Sequence, residues 1–132
     1  MIERYGSGGP WEAMFGYSRV VVAGDRVLTA GCTSTVDGVV THVGDAGAQT
    51  LEAIRIGLDA LAKAGAGVAD VVRTRMYVVN RADTDAVGRA HGDVFGDVRP
   101  AATMVLVAGL LHPDHLVEIE LEAYLSETRR VG

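Results

Sequence analysis

The chain is 132 residues long, 48% hydrophobic and 22% charged, with a formal net charge of −5. That length and apolar fraction suit one compact domain spanning 1–132 and leave no room for a second. The acidic balance, with no basic run longer than Arg129-Arg130, argues against a surface that tracks phosphates. A single cysteine, Cys32, excludes an internal disulfide, and there is neither a basic-plus-apolar leader nor an 18-residue apolar stretch. The expectation is a cytoplasmic protein with no membrane or nucleic-acid partner and a core built from Val, Leu, Ile and Ala.

Residues 1–16, rich in Gly and Pro and without periodicity, read as an irregular N-terminal arm in which Trp11 and Phe15 pack somewhere. Ser18 to Ala23 and Arg26 to Gly31 are β-branched runs separated by Gly24-Asp25, the turn chemistry of a tight hairpin. Asp45 is placed to cap a helix of roughly 18 residues in which Leu51, Ile54, Leu58 and Leu61 form an apolar stripe ending at Gly65. Val71 to Val79 reads as a strand with Val72, Thr74, Met76 and Val78 on one face and Arg73, Arg75 and Tyr77 on the other. A second helix is expected from about Asp83 to Phe95, with Ala86, Val87, Ala90 and Val94 inward, although Gly88 and Gly92 weaken it by about 1 kcal/mol each. Ala102 to Ala108 and Leu116 to Leu125 are the last strands, candidate neighbours joined by a loop that Pro113 keeps out of the sheet.

The order is therefore β-β-α-β-α-β-β, an α+β two-layer domain with both helices on one face of a mixed sheet. The last strand alternates: Val117, Ile119, Leu121, Ala123 and Leu125 face the helices, while Leu116, Glu118, Glu120, Glu122 and Tyr124 face away. The uncovered face thus sets arginines against glutamates. It is either a solvated, salt-bridged surface or a second buried surface between subunits, where a leftover carboxylate is available for chemistry.

Several fragments carry a likeness: Gly16-Tyr17-Ser18, Gly24-Asp25, Thr29-Ala30-Gly31, Ala48-Gln49, Asp70-Val71-Val72-Arg73-Thr74, Phe95, Arg99-Pro100-Ala101-Ala102-Thr103-Met104, and Glu118-Ile119-Glu120-Leu121-Glu122-Ala123. In order and spacing they resemble the RidA/YjgF/UK114 family over nearly the whole chain. The resemblance implies a chorismate-mutase-like fold assembled as a homotrimer, with a small-molecule pocket at each subunit interface; no metal or other cofactor is expected. It implies, for deaminating members, hydrolysis of enamines and imines such as 2-aminoacrylate, which needs a carboxylate anchor, orienting backbone groups and an acid/base that positions water. Carried over, the acid/base falls on Glu120, the aromatic wall on Tyr17, and the pocket edge on Ala30, Gly31, Cys32, Ala102 and Met104.

The departures bear on chemistry. The anchoring arginine two residues after the proline is Ala102, so a bidentate guanidinium–carboxylate contact worth about 1.5–3 kcal/mol per hydrogen bond is missing. Arg99 lies three residues away and so points to the opposite side of a strand. Ala30 stands where serine is common, Met104 where cysteine is common, and Gly88 or Arg89 where a polar pocket residue is often found. The chain resembles the subgroup lacking the anchoring arginine. The expected function is binding of a small metabolite without 2-aminoacrylate-type deamination; the alternative is hydrolysis of a less anionic enamine or imine by Glu120.

Other candidates are weaker. Cys32 has no histidine nearby in sequence to activate it. His112-Pro113-Asp114-His115 lacks a second ligand pair, His42 and His91 are isolated, and Ala64-Gly65-Ala66-Gly67 ends a helix rather than opening one. Thr33-Ser34-Thr35 more simply satisfies turn amides.

Overall fold

The computed structural model describes residues 1–126; residues 127–132, with Arg129-Arg130, lie outside the described residues. The elements are β1 (Ile2–Tyr5), α1 (Pro10–Phe15), β2 (Val20–Ala23), β3 (Arg26–Thr29), β4 (Thr35–Val36), β5 (Val39–Val40), α2 (Ala46–Lys63), β6 (Val71–Val78), α3 (Thr84–Phe95), β7 (Ala101–Leu106) and β8 (Val117–Tyr124). Six strands form one mixed sheet in the order β1-β2-β3-β8-β6-β7, with only the β6–β7 pair parallel. The α+β two-layer reading holds, with α2 and α3 covering one face.

Local chemistry explains the elements that follow the expected pattern. Gly24 sits at φ +66° in the β2–β3 turn, where a side chain would be strained. The Asp45 carboxylate accepts a hydrogen bond from Ala48 N at 3.0 Å and so satisfies a free donor at the start of α2. On β8, Val117, Ile119, Leu121 and Ala123 are buried against the helices, and Gly57 on α2 permits the contact: a Cβ there would stand 2.8 Å from Leu121 Cδ1. Gln49, fully buried, ties α2 to the loop before β8 by donating to His42 O and Asp114 O and accepting from Leu116 N.

Four expectations need correction, and one element is additional. Residues 1–16 are not an irregular arm: Ile2–Tyr5 pairs antiparallel with β2 as an edge strand, and Pro10–Phe15 forms a short helix with Trp11 stacked on Phe15. A small hairpin, β4–β5, turns at Asp37-Gly38, both at positive φ. β7 and β8 are not neighbours, because β6 lies between them; the α3 crossover lays β7 parallel to β6 and leaves it at the edge. A bulge between Val71 and Arg73 turns Val72 outward and puts Val71 in the core. The buried stripe of α2 is Ala53, Ile54, Gly57, Ala60 and Leu61, with Leu51 exposed, and on α3 Phe95 is buried while Ala86 is exposed. Small residues face the sheet because the helices pack close to it.

Candidate functional site

The face of the sheet opposite the helices carries a charged half and an apolar half. In the charged half, β8 and β6 align Glu122 with Arg73, Glu120 with Arg75 and Glu118 with Tyr77. Arg75 Nη1 donates to Glu122 at 2.7 Å and lies 3.9 Å from Glu120, and Arg26 reaches Glu122 at 3.4 Å. The Arg75 hydrogen bond, reinforced by its charge and by Arg26, holds the Glu122 carboxyl below the usual range despite partial burial. Tyr77 donates its hydroxyl to Glu120 Oε1, and that bond chiefly raises the Tyr77 phenol. Glu120 is thus engaged by a phenol and a guanidinium.

The apolar half is an open groove of about 640 Å³ on β1–β3 and α1, lined by Tyr17, Val21, Leu28 and Ala30 together with the charged Arg4 and Glu12. Arg4, Val21 and Leu28 share it because β1, β2 and β3 align them in register. Between the halves sits Gly31, where the chain leaving β3 bridges to β8: Cys32 N donates to Ile119 O at 2.7 Å and Ile119 N to Cys32 O at 2.9 Å. Arg19 Nη1 donates to Gly31 O at 2.7 Å, its Nε lies 3.8 Å from Glu12, and its guanidinium stands 5.9 Å from the Tyr17 ring centre. The Glu118 side chain occupies the space beside the Gly31 Cα, so that a Cβ there would meet Glu118 Cδ at 2.8 Å. Burial, then the Glu120 charge, raise the Glu118 carboxyl above its ordinary value, with Arg19 opposing.

The other residues singled out from sequence lie elsewhere. Ala102 pairs in register with the buried Thr74, and Met104 with Met76, so both sit on the helix-facing side of edge strand β7. Beside them, His91 of α3 shares a 2.8 Å hydrogen bond with Thr74, burial lowers its imidazole, and Met104 Cε lies 3.7 Å from where a Gly88 Cβ would be. Within one chain, therefore, Ala102 and Glu120 occupy opposite faces of the sheet. Arg99, at φ +57°, is exposed ahead of β7. Cys32 points into the core at 1% exposure, and burial raises its thiol, which disfavours the reactive thiolate. His115 braces Thr35 at 2.8 Å, and Ser34 donates to Thr41 O at 2.8 Å, so both are loop supports.

Nothing in the local sequence singles out Arg19 or Glu118. Alternation placed Glu118 on the correct face, but which of three carboxylates lacks a partner depends on side chains from β6 and β3 that no local pattern reveals.

A six-stranded mixed sheet with two helices on one face, a polar face opposite and a groove beside Gly31 defines the YjgF-like class of two-layer α+β proteins. A family model described as Endoribonuclease L-PSP matches residues 10–125. A crystal structure of a Mycobacterium tuberculosis member of the YjgF/YER057c/UK114 family is 42% identical, with a TM-score of 0.85 over 95% of this chain and 100% of that one. An uncharacterised Streptomyces coelicolor protein is 42% identical over 123 residues, 93% of this chain and 92% of that protein. An Acinetobacter baylyi protein named 3-aminoacrylate deaminase RutC is 36% identical over 86 residues, 65% of this chain and 68% of that one. The chain belongs to the Endoribonuclease L-PSP, or YjgF/YER057c/UK114, family. Among the described residues no helix is long and apolar enough to cross a membrane.

Proposed function

We propose that this protein binds a small metabolite in pockets completed between the subunits of a homotrimer, and that it does not deaminate 2-aminoacrylate-type imines. The observation that carries the reading is Ala102. A methyl group stands where the resemblance calls for a guanidinium, and the side chains sharing its face in register are Thr74 and, one pleat on, Met76 and Met104. No charge-assisted, bidentate contact to a carboxylate can form from that position. A site between subunits is consistent with the separation of Ala102 and Glu120 on opposite faces, since a neighbouring copy would have to bring the two together. The lining, with Tyr17, Val21, Leu28 and Ala30 beside a single cation and a single anion, Arg4 and Glu12, suits a ligand of little net charge.

Ammonia release from 2-aminoacrylate generated in situ tests this directly. The expected rate is on the order of 100-fold or more below that of an arginine-bearing relative, the consequence of losing two charge-assisted hydrogen bonds. Robust turnover that Glu120→Gln abolishes would refute the reading. Light scattering checks the assembly: a monomer at micromolar concentration removes the inter-subunit pocket.

A second reading is hydrolysis of a less anionic enamine or imine in which Glu120 positions water; the Acinetobacter relative, named a 3-aminoacrylate deaminase, supports the reaction type. Under it, a neutral enamine such as 3-aminocrotononitrile releases ammonia in a Glu120-dependent way.

A further inference from the structure

Arg19 stands just ahead of β2 with its backbone fixed on both sides: Arg19 N donates to Tyr5 O and Ala30 N to Arg19 O, each at 2.9 Å. Its side chain, only 17% exposed, meets three separate parts of the chain. Nη1 donates to Gly31 O at 2.7 Å, Nε lies 3.8 Å from Glu12 of α1, and the guanidinium stands over the Tyr17 ring at 5.9 Å from its centre. Glu12 and Tyr17 both line the groove, and Gly31 directly follows Ala30, which lines it too. A guanidinium suits this place, because its planar fork donates in several directions while its flat face covers a ring.

The direction of that fork is set from α1. The Glu12 carboxylate accepts from Ser7 N at 3.0 Å and from the Ser7 hydroxyl, so turning away from Arg19 would cost it those bonds. Burial pushes the Glu12 carboxyl up, but the Ser7 hydrogen bonds and the charges of Arg19 and Lys63 together hold it below its ordinary value. The pair is therefore charged at neutral pH. The Glu12 backbone closes the circuit, since its carbonyl accepts from Tyr17 N at 3.0 Å. α1 buries no residue of its own, so polar contacts of this kind, more than core packing, hold it against the sheet.

Resting on the metabolite-binding reading, we propose that Arg19 is a positioning residue of the groove: it fixes the Tyr17 ring against the Gly31 carbonyl, and Glu12 fixes Arg19. The aromatic wall and the Ala30-Gly31 edge are then held in one relation before any ligand enters, which spares the ligand the cost of ordering them. Every contact in this relay is made within one chain, so it does not wait on a neighbouring copy. Lysine is no substitute, because a point charge on a flexible stem reaches the carbonyl or the carboxylate without covering the ring as well.

An ion pair that only stabilised the fold would lower the unfolding midpoint when broken and leave native Gly31 where it was. A positioning pair moves it. NMR of the ligand-free full chain reads the difference, with Gly31 as the reporter because it touches Arg19 and not Glu12. Glu12→Gln is expected to shift the Gly31 carbonyl signal, while Asp85→Asn, which breaks an exposed ion pair on α3, leaves it in place. In an Arg19→Met background the same Glu12→Gln change should move Gly31 at least about threefold less, as expected when two sites act through a shared partner. Arg19→Lys alone should displace both the Gly31 carbonyl and the Tyr17 ring signals from their wild-type positions. The same spectra show whether each variant is folded, and if Arg19→Met is not, Arg19→Lys takes its place as the background. An unmoved Gly31 in Glu12→Gln, equal movement with and without Arg19, or wild-type Gly31 and Tyr17 signals in Arg19→Lys would each overturn the proposal. None of those results touches the deaminase assay or the light scattering, so the relay can fail while the metabolite-binding reading stands, and the reverse.

Discussion

The two faces of this sheet are cut from the same strands and held by different physics. Toward α2 and α3, β8 presents Val117, Ile119, Leu121 and Ala123 and β6 presents Thr74, Met76 and Val78, all buried. Away from them, the alternate residues of the same strands are Glu118, Glu120 and Glu122 against Arg73, Arg75 and Tyr77, none of them fully buried. Apolar area removed from water stabilises by about 25 cal/mol per Å², whereas exposed ion pairs contribute about 0–1 kcal/mol each. One face therefore carries most of the folding energy, and the other is comparatively free to vary and to recognise. The Glu118 carboxylate, without a hydrogen bond among the described residues, is tolerable because it lies outside the packed layer, and Ala102, though on the helix-facing side, is exposed on edge strand β7.

The sharpest way to break that division is to cut the packed face. Ile119, fully buried on β8, should lose about 2–5 kcal/mol on substitution by alanine, read as a large fall in the urea midpoint. Leu28→Ala, on the open face and 36% exposed, should lose under about 1 kcal/mol. Comparable losses at the two sites would mean that the open face is as tightly packed in the assembled protein as the helix-covered one. Both measurements need the same protein concentration, because assembly adds to apparent stability.

How much of this was legible beforehand follows the range of the interactions involved. The Gly24-Asp25 hairpin, the Asp45 cap and the alternation of β8 are set within a few residues, and the sequence displays them. The pairing of Ile2–Tyr5 with β2, the insertion of β6 between β7 and β8, and the bulge that turns Val72 outward are settled by partners far along the chain. The site divides in the same way. The polar face and Tyr17, Ala30 and Gly31 could be read or carried over by likeness, but Arg19 and the isolation of Glu118 required the positions of β3, β6 and the bridge at Cys32.

Glycines at close approaches sharpen the comparison at intermediate size. Gly57→Ala should overpack α2 against Leu121 and lose about 1–3 kcal/mol, since the new Cβ would stand 2.8 Å from Leu121 Cδ1 inside the core. Gly31→Ala meets instead the end of the Glu118 side chain, which can shift toward solvent, so its loss in stability should be the smaller. Equal stability losses, checked by denaturant unfolding, would show that Glu118 is as immobile as a core leucine.

The smallest expected effect has the opposite sign. Burial and Glu120 raise the Glu118 carboxyl in the folded state above its ordinary 4.5, so above that raised value the folded protein carries a charge that the unfolded chain accommodates more easily. Glu118→Gln should therefore stabilise the protein at pH 7, by about 0.5–1 kcal/mol after allowing for solvent screening of a partly exposed group. The gain should shrink as the pH falls through the raised value toward 4.5, because the wild-type carboxyl then takes up a proton and loses its disadvantage. Glu122→Gln should behave the other way: its carboxyl is held below the ordinary value by Arg75, so the variant loses stability at pH 7, and that loss fades on acidification through the lowered value. Unfolding free energies of both variants at pH 7 and at mildly acidic pH distinguish a carboxylate that the sheet leaves uncompensated from one that it pairs. If Glu118→Gln is destabilising at pH 7, Glu118 belongs with its neighbours as part of the sheet's own pairing.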